Sequence, residues 1–359
     1  MTELLFLGAI LAAGALSLIL TPLVRAMALA IGFIDKPGER KIHACEIAYG
    51  GGIVLAAVVS LIFGAVLLLK HYNIVPLPSA LDDLRGEILL AVAVGACCIL
   101  TLGLIDDKYR LSPWTKLIVE FFIAAGVVSC GVRITVFIGD NLLTQIATAC
   151  WIVLITNSFN LLDNMDGLCA GIIAITAAIL GLVALDSQQW NLMLTLGALA
   201  GAAAGFLKYN RSPASIFLGD AGALFAGFLM ACCAALVTYY HANKASHLSI
   251  GAPLLIFAIP LYDTFSVIYI RLKEKRPLMR GDTSHFSHRL VDLGMSRRQA
   301  VTTIHLACLA IGLPTVVLSQ LSEERGLLLV SQAVLMMAII ASLEHASRQR
   351  VKRESRNGD

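Results

Sequence analysis

A succession of long, mostly apolar runs constrains this chain more than anything else. A membrane-crossing helix needs about 20 mostly apolar residues. The 359-residue sequence offers eleven such runs: 4–24, 50–69, 87–105, 115–130, 142–157, 168–185, 190–207, 216–240, 248–270, 300–320 and 326–345. Only 14% of residues are charged and 58% are hydrophobic, against about 25% charged in a soluble globular protein. So little charge cannot cover the outside of a soluble fold. The expected class is therefore an all-α polytopic membrane protein with about 11 transmembrane helices. Disorder, collagen, coiled coil and a disulfide scaffold are excluded. The first run is no cleavable signal, because it lacks a basic leader, carries Glu3 and is too long. The nine cysteines form no C-x-x-C pair, which argues against a zinc or redox site.

Eleven spans put the termini on opposite sides. Basic residues mark the cytoplasmic side. With the N-terminus outside, the inner segments hold 22 of the 27 Lys and Arg, and the outer ones only Lys70, Arg85, Arg133, Lys244 and Arg325. The expectation is N-terminus outside, C-terminus cytoplasmic. Residues 1–346 read as a single integral membrane catalytic domain, and 347–359 as a basic cytoplasmic tail.

On that map the unusual polar residues share the inner face. Asp106 and Asp107 end the third span. Asn157, Asn160, Asp163 and Asp166 follow the fifth. Asp220 starts the eighth, His285 and His288 lie between the ninth and tenth, and His43 lies in the first inner loop. Five gathered carboxylates would repel one another. A hard divalent cation resolves that, and Mg²⁺ prefers oxygen ligands with phosphate oxygens completing its shell. Nearby basic residues would hold further phosphates. Such a site at a bilayer surface suits transfer between a soluble nucleotide and a lipid phosphate, a task of positioning and charge neutralisation.

Each motif has a plainer reading. Asp106-Asp107-Lys108-Tyr109-Arg110 could be a helix-end charge cluster. NSFNLLDNMDGLCAG (157–171) could be capping and turn residues, although three Asn and two Asp without a Lys or Arg are expensive near lipid. FLGDAG (217–222) could be a common Gly-Asp turn. GDTSHFSHRL (281–290) could be a solvated basic loop. In DKPGERKIHACEIAYGGG (35–52), Lys41, His43 and the glycines could cradle a phosphate or simply make a positive-inside loop. Asp263 lies within the ninth span, which Pro260 should kink. It is either functional or an internal partner for Arg271 or a backbone group. Glu120 is expected to pair with Lys116 one turn earlier.

Together the DD pair, the NxxNxxDxxDGL stretch, the FLGD turn and the HxxH-R-L loop resemble the polyprenyl-phosphate N-acetylhexosamine-1-phosphate transferases, glycosyltransferase family 4. They occur in the family's order between about residues 35 and 290. DxPxxRKxH in the first inner loop and SHxxHRL look like the WecA/TagO-type branch, the undecaprenyl-phosphate N-acetylglucosaminyl-1-phosphate transferases. Ser287 departs from the family pattern, standing where a second adjacent His is usual, and Glu46 stands near a usual proline.

The resemblance implies a Mg²⁺-dependent phosphoglycosyltransferase of the bacterial inner (plasma) membrane, with Mn²⁺ as a possible substitute. Its substrates would be a UDP-N-acetylhexosamine and undecaprenyl phosphate within the lipid bilayer, with no nucleic acid partner and a homodimer as a candidate assembly. Asp220, with Asn160, would bind the metal. Asp106 and Asp107 would orient or deprotonate the lipid phosphate. Asn157, Asp163 and Asp166 would line the nucleotide pocket, with Phe217 stacked on uracil. His285, His288 and Arg289 would hold the sugar-diphosphate, and Lys41 and His43 would contact substrate. The rival class is a polytopic secondary transporter, which places its polar groups near the bilayer midplane in related halves. Here they lie at span ends and no halves repeat.

Overall fold

The computed structural model describes residues 2–35, 46–72, 86–134, 141–239, 247–279 and 284–357, with side chains through Glu344. The chain divides into two compact units, Met1–Thr238 and Tyr239–Asp359. Among the described residues, nine helices are long and apolar enough to cross a membrane, or ten if a bent pair counts as one span. The protein is thus a helical, multi-pass membrane protein.

The first unit contains α1 (Thr2–Ala30), α2 (Gly51–His71), α3 (Gly86–Tyr109), α4 (Pro113–Ser129), α5 (Leu142–Leu162), α6 (Leu168–Asp186), α7 (Trp190–Asn210) and α8 (Gly219–Leu236). The 115–130 run of the sequence count is α4. Its 17 residues are at the short end of what a span requires. Helices α7 and α8 are apolar on nearly every side and bury 83% and 89% of an apolar 18-residue stretch, whereas α1 buries 28% of its own. An all-round apolar helix belongs in the interior of the bundle, so α6, α7 and α8 form its centre.

Small residues let these helices touch backbone to backbone, which suits a lipid setting where van der Waals packing drives association. A Cβ on Gly201 would sit 2.1 Å from the Ile10 carbonyl oxygen, and one on Gly205 would sit 2.5 Å from that of Gly14, so α1 lies directly on α7. A Cβ on Gly103 would meet Ala221 Cα at 2.3 Å, and one on Gly52 the Ala221 carbonyl carbon at 2.6 Å. Helices α2 and α3 therefore both close on the first turn of α8.

One element departs from an all-α reading. β1 (Ile34–Asp35), β2 (Ile47–Tyr49) and β3 (Ile216–Phe217) form a three-stranded sheet. β1 pairs with β2 antiparallel, and β2 with β3 parallel, with Tyr49 opposite Phe217. Residues 216–217, which the apolar pattern joins to the eighth span, are this strand. Backbone groups outside a helix still need partners, and the sheet supplies them beside the start of α8.

The second unit holds a 3₁₀ turn (His247–Gly251), α9 (Ala252–Ile256), α10 (Ala258–Lys273), α11 (Phe286–Asp292), α12 (Arg297–Gly312), a 3₁₀ segment (Leu313–Gln320) and α13 (Glu323–Asn357). The 248–270 run is broken and bent by 64°. The break falls at Phe257, not at Pro260 as the sequence suggests. Pro260 occupies the first turn of α10, where its missing N–H has no intrahelical partner to lose.

Gly103→Ala should force α3 away from α8 and lower stability by about 1–3 kcal/mol. Gly64→Ala, in open space on α2, is the control. Thermal unfolding in detergent should show a lower midpoint for the first variant only.

Candidate functional site

The first unit brings carboxylates together at the ends of its helices. Asp106 is 7% exposed at the last turn of α3. Its Oδ1 accepts from Leu111 N–H at 2.6 Å, and the left-handed backbone of Arg110 (φ 53) turns the chain there. Its Oδ2 meets the Lys116 ammonium at 2.5 Å. The same ammonium lies 2.8 Å from Asp220 Oδ2 and 3.3 Å from Asn160 Oδ1. Asn160 Nδ2 donates to Asp220 Oδ1 at 2.7 Å. Three helices thus hold two carboxylates and an amide around one cation.

Asp107 works on the backbone. Its carboxylate accepts from Asp220 N–H at 2.8 Å and Ala221 N–H at 3.2 Å. These are orphan donors at the start of α8, where the helix dipole favours a negative charge. Gly219 precedes them with φ +74, and a Cβ there would lie 2.6 Å from Asp107 Oδ2. Only glycine allows both the conformation and the approach.

Asp163 caps α5 and Asp166 follows in the turn. Asp166 Oδ2 accepts from Ala214 N–H at 3.1 Å. Asn210 bridges Gly167 N–H and the Ile216 carbonyl at 3.1 and 3.0 Å. These bonds tie the turn after α5 to the segment before β3. Burial, followed by the charges of Asp220 and Asp107, pushes the Asp163 carboxyl well above the usual carboxylate range. Phe217 lies 6.0 Å from Tyr49, ring to ring, and Tyr49 lies 5.7 Å from Phe33. Burial and neighbouring Asp35 push the Tyr49 hydroxyl up.

One expectation changes. Lys116 pairs with Asp106 and Asp220 instead of Glu120. Glu120 instead accepts from Asn157 Nδ2, which also donates to the Val153 carbonyl at 3.0 Å. In the sequence Lys116 stood out only as a basic residue one turn from Glu120. Its position three residues after the Pro113 that opens α4 gave the signal that it sits at the same helix end as Asp106. Among the described residues, no three His, Cys, Asp or Glu side chains converge as a ready metal cage. Lys41 and His43 lie outside the described residues.

In the second unit, His285, His288 and Arg289 sit on and beside α11. His285 Nδ1 lies 2.9 Å from Asp263 Oδ2, and Asp263 Oδ1 accepts from Phe286 N–H at 2.6 Å. Asp263 therefore pairs with His285, not Arg271, which donates to the Leu278 carbonyl. Arg289 is 6% exposed. It donates to Glu344 Oε2 at 3.0 Å, to Ser266 Oγ at 2.8 Å and to the Ser284 carbonyl at 2.5 Å. Tyr262 also donates to Glu344, at 2.9 Å. Ser287, at the family's usual His position, is 1% exposed. Burial, then His285 and Arg297, holds His288 below the usual imidazole value, so it is neutral at neutral pH.

A family model for glycosyl transferase family 4 matches residues 89–238, the stretch carrying Asp106 through Asp220. Over 343 residues the chain is 31% identical to the probable undecaprenyl-phosphate N-acetylglucosaminyl 1-phosphate transferase of Bacillus subtilis (strain 168), covering 93% of this chain and 91% of the relative. The chain belongs to this transferase family. A decaprenyl-phosphate N-acetylglucosaminephosphotransferase of Mycolicibacterium smegmatis is 30% identical over 79% of this chain and 74% of its own length. An undecaprenyl-phosphate alpha-N-acetylglucosaminyl 1-phosphate transferase of Salmonella typhi is 27% identical over 79% and 76%. Family membership gives the DD pair, the Asn-Asp stretch and the FLGD turn a shared setting, since all lie within the matched residues.

The raised Asp163 carboxyl has a thermodynamic consequence. Its folded-state pKa exceeds the unfolded value of about 3.9, so the folded state holds the proton more tightly. Without divalent cations, stability should rise as pH falls from the folded-state pKa towards the unfolded one. Unfolding midpoints measured against pH in chelator should show this slope, and Asp163→Asn should flatten it.

Proposed function

We propose that the protein transfers a sugar-1-phosphate, GlcNAc-1-phosphate or a related HexNAc-1-phosphate, from a UDP-sugar to undecaprenyl phosphate. An oxygen of the lipid phosphate attacks the sugar-linked phosphorus. The bond to UMP breaks, UMP leaves, and polyprenyl-diphospho-sugar stays in the membrane, the first membrane step of a cell-envelope glycan. The observation that carries this reading is the Lys116 ammonium clamped between Asp106 and Asp220 beside Asn160. Two carboxylates and an amide there gather about a positive charge. Asp220 keeps 35% of its side chain exposed, against 7% for Asp106 and 13% for Lys116, so the cluster opens at Asp220.

These are hard oxygen donors of the kind Mg²⁺ prefers, and Asp220 with Asn160 would hold it. Mg²⁺ there would neutralise charge on the diphosphate. Asp106 and Asp107 orient or deprotonate the lipid phosphate. Asp163 and Asp166 line the nucleotide pocket, with Phe217 against the uracil, and Asn157 contacts substrate. Lys41 and His43 contact substrate, and His285, His288 and Arg289 hold the sugar-diphosphate. Lys116 counters the charge of the two carboxylates. Eleven spans, an outer N-terminus and a cytoplasmic C-terminus in the bacterial inner membrane complete the reading. In it residues 1–346 act as one catalytic domain with 347–359 as a basic tail. The polar groups sit at helix ends, which favours chemistry at the membrane surface over transport through a midplane site.

Purified protein with Mg²⁺, undecaprenyl phosphate and UDP-GlcNAc should release UMP, and a panel of UDP-HexNAc donors should rank the sugar. No UMP from any donor would sink the reading. Asp220→Ala should abolish turnover, by about 10³-fold or more if it holds both metal and diphosphate, while circular dichroism stays unchanged. Retained turnover would remove Asp220 from the metal role.

A further inference from the structure

Asp263 is 1% exposed in α10, and its two carboxylate oxygens have separate tasks. Oδ1 accepts the Phe286 N–H, the first amide of α11, at 2.6 Å. Oδ2 faces His285 Nδ1 at 2.9 Å. An ionised carboxylate only accepts hydrogen bonds, and opposite one the proton belongs on Nδ1. The neutral ring then has its lone pair on Nε2. His285 is 5% exposed. Among the described residues Nε2 meets no protein partner, and it is not sealed from the outside. The ring is thus gripped at one nitrogen and presented at the other.

The rest of α11 is fixed as firmly. Phe286 is 2% exposed and packs edge-on against Tyr262, with ring centroids 5.4 Å apart. Four residues after His285, Arg289 is locked to Glu344, Ser266 and the Ser284 carbonyl. Rotation of the short helix, which would swing His285 aside, is therefore blocked at both of its turns.

We propose that Asp263 is a positioning residue, which sets the tautomer and direction of His285 so that Nε2 meets the substrate. A neutral His285 offers Nε2 as a proton acceptor. An imidazolium offers it as a donor to a phosphate oxygen, with the buried Asp263 carboxylate as countercharge. Either use needs the proton on Nδ1. This inference rests on the reading above that His285 contacts the sugar-diphosphate.

Asp263→Asn separates this role from a purely structural one. The asparagine carbonyl still accepts from Phe286 N–H, but its amide now donates to Nδ1 and pushes the proton to Nε2. The probe is ¹⁵N-histidine NMR of the full chain in nanodiscs, with His285→Gln used to assign the signal. The wild type should show neutral His285 as the Nδ1–H tautomer, and Asp263→Asn should invert it. UMP release by Asp263→Asn should fall about 10²-fold or more, since inverting a catalytic imidazole tautomer is that costly. On a His285→Ala background the same change should have no further effect. An Nε2–H tautomer in the wild type overturns the proposal, and this measurement needs no variant at position 263. An additive loss in the double variant also overturns it. A wild type with the expected tautomer that releases no UMP leaves the pairing intact and sinks the transferase reading instead.

Discussion

Two carboxylates, Asp106 and Asp220, both reach the ammonium of Lys116, and the first unit is arranged around that triangle. Two carboxylates brought this close repel each other strongly in a setting of low effective dielectric constant. Lys116, at 2.5 and 2.8 Å from them, reverses the sign of that interaction. The three side chains come from α3, α4 and α8, so one charge balance joins three helices. Asp107 adds a second tie to the same helix end through the first amides of α8. A helix N-terminus in a low-dielectric setting needs such partners, and here a catalytic candidate supplies them. Structure and chemistry therefore share the same residues.

Much of this was legible in sequence, for one physical reason. Lipid tolerates so few polar groups that those present stand out. Asp106, Asp107, Asn160, Asp163 and Asp220 were conspicuous against apolar runs, and three helix ends do bring them together. The helical class followed from the same scarcity. What escaped was pairing. Glu120 and Lys116 are one turn apart, and the local rule joins them, yet each finds a stronger partner on another helix. Asp263 and Arg271 share α10, but Asp263 turns to His285, which lies 22 residues away. Periodicity reports which face a residue occupies and is silent about what arrives opposite. The small sheet was hidden too, because strands of two or three residues leave no periodic trace. The break at Phe257 carried no Pro or Gly of its own to announce it.

The two histidines of the second unit illustrate how differently neighbouring residues can be used. His285 is gripped by a buried carboxylate, while burial, then His285 and Arg297, hold the His288 imidazole below its usual value. Ser287, between them, is turned inward. Arg289 looked like a phosphate ligand in a basic loop. Its guanidinium is largely committed to Glu344 and to the backbone, so its contribution includes holding α11 still. A basic residue near an anion site can serve by bracing the scaffold as well as by touching the ligand.

The contact between Gly103 and Ala221 acts as a datum for the whole site. Gly103 lies one turn before Asp106, and Ala221 follows Asp220 directly. Because neither residue projects beyond a methyl group, the two helices meet at a fixed stop. A helix slipped by one residue advances about 1.5 Å and rotates about 100°, enough to carry a carboxylate to another face. A slip on α3 would drive Leu102 or Leu104 into that stop. The chain therefore measures the separation of its acids from a place that bears no charge. Relatives could vary their lipid-facing surfaces widely while this gauge keeps the chemistry in register.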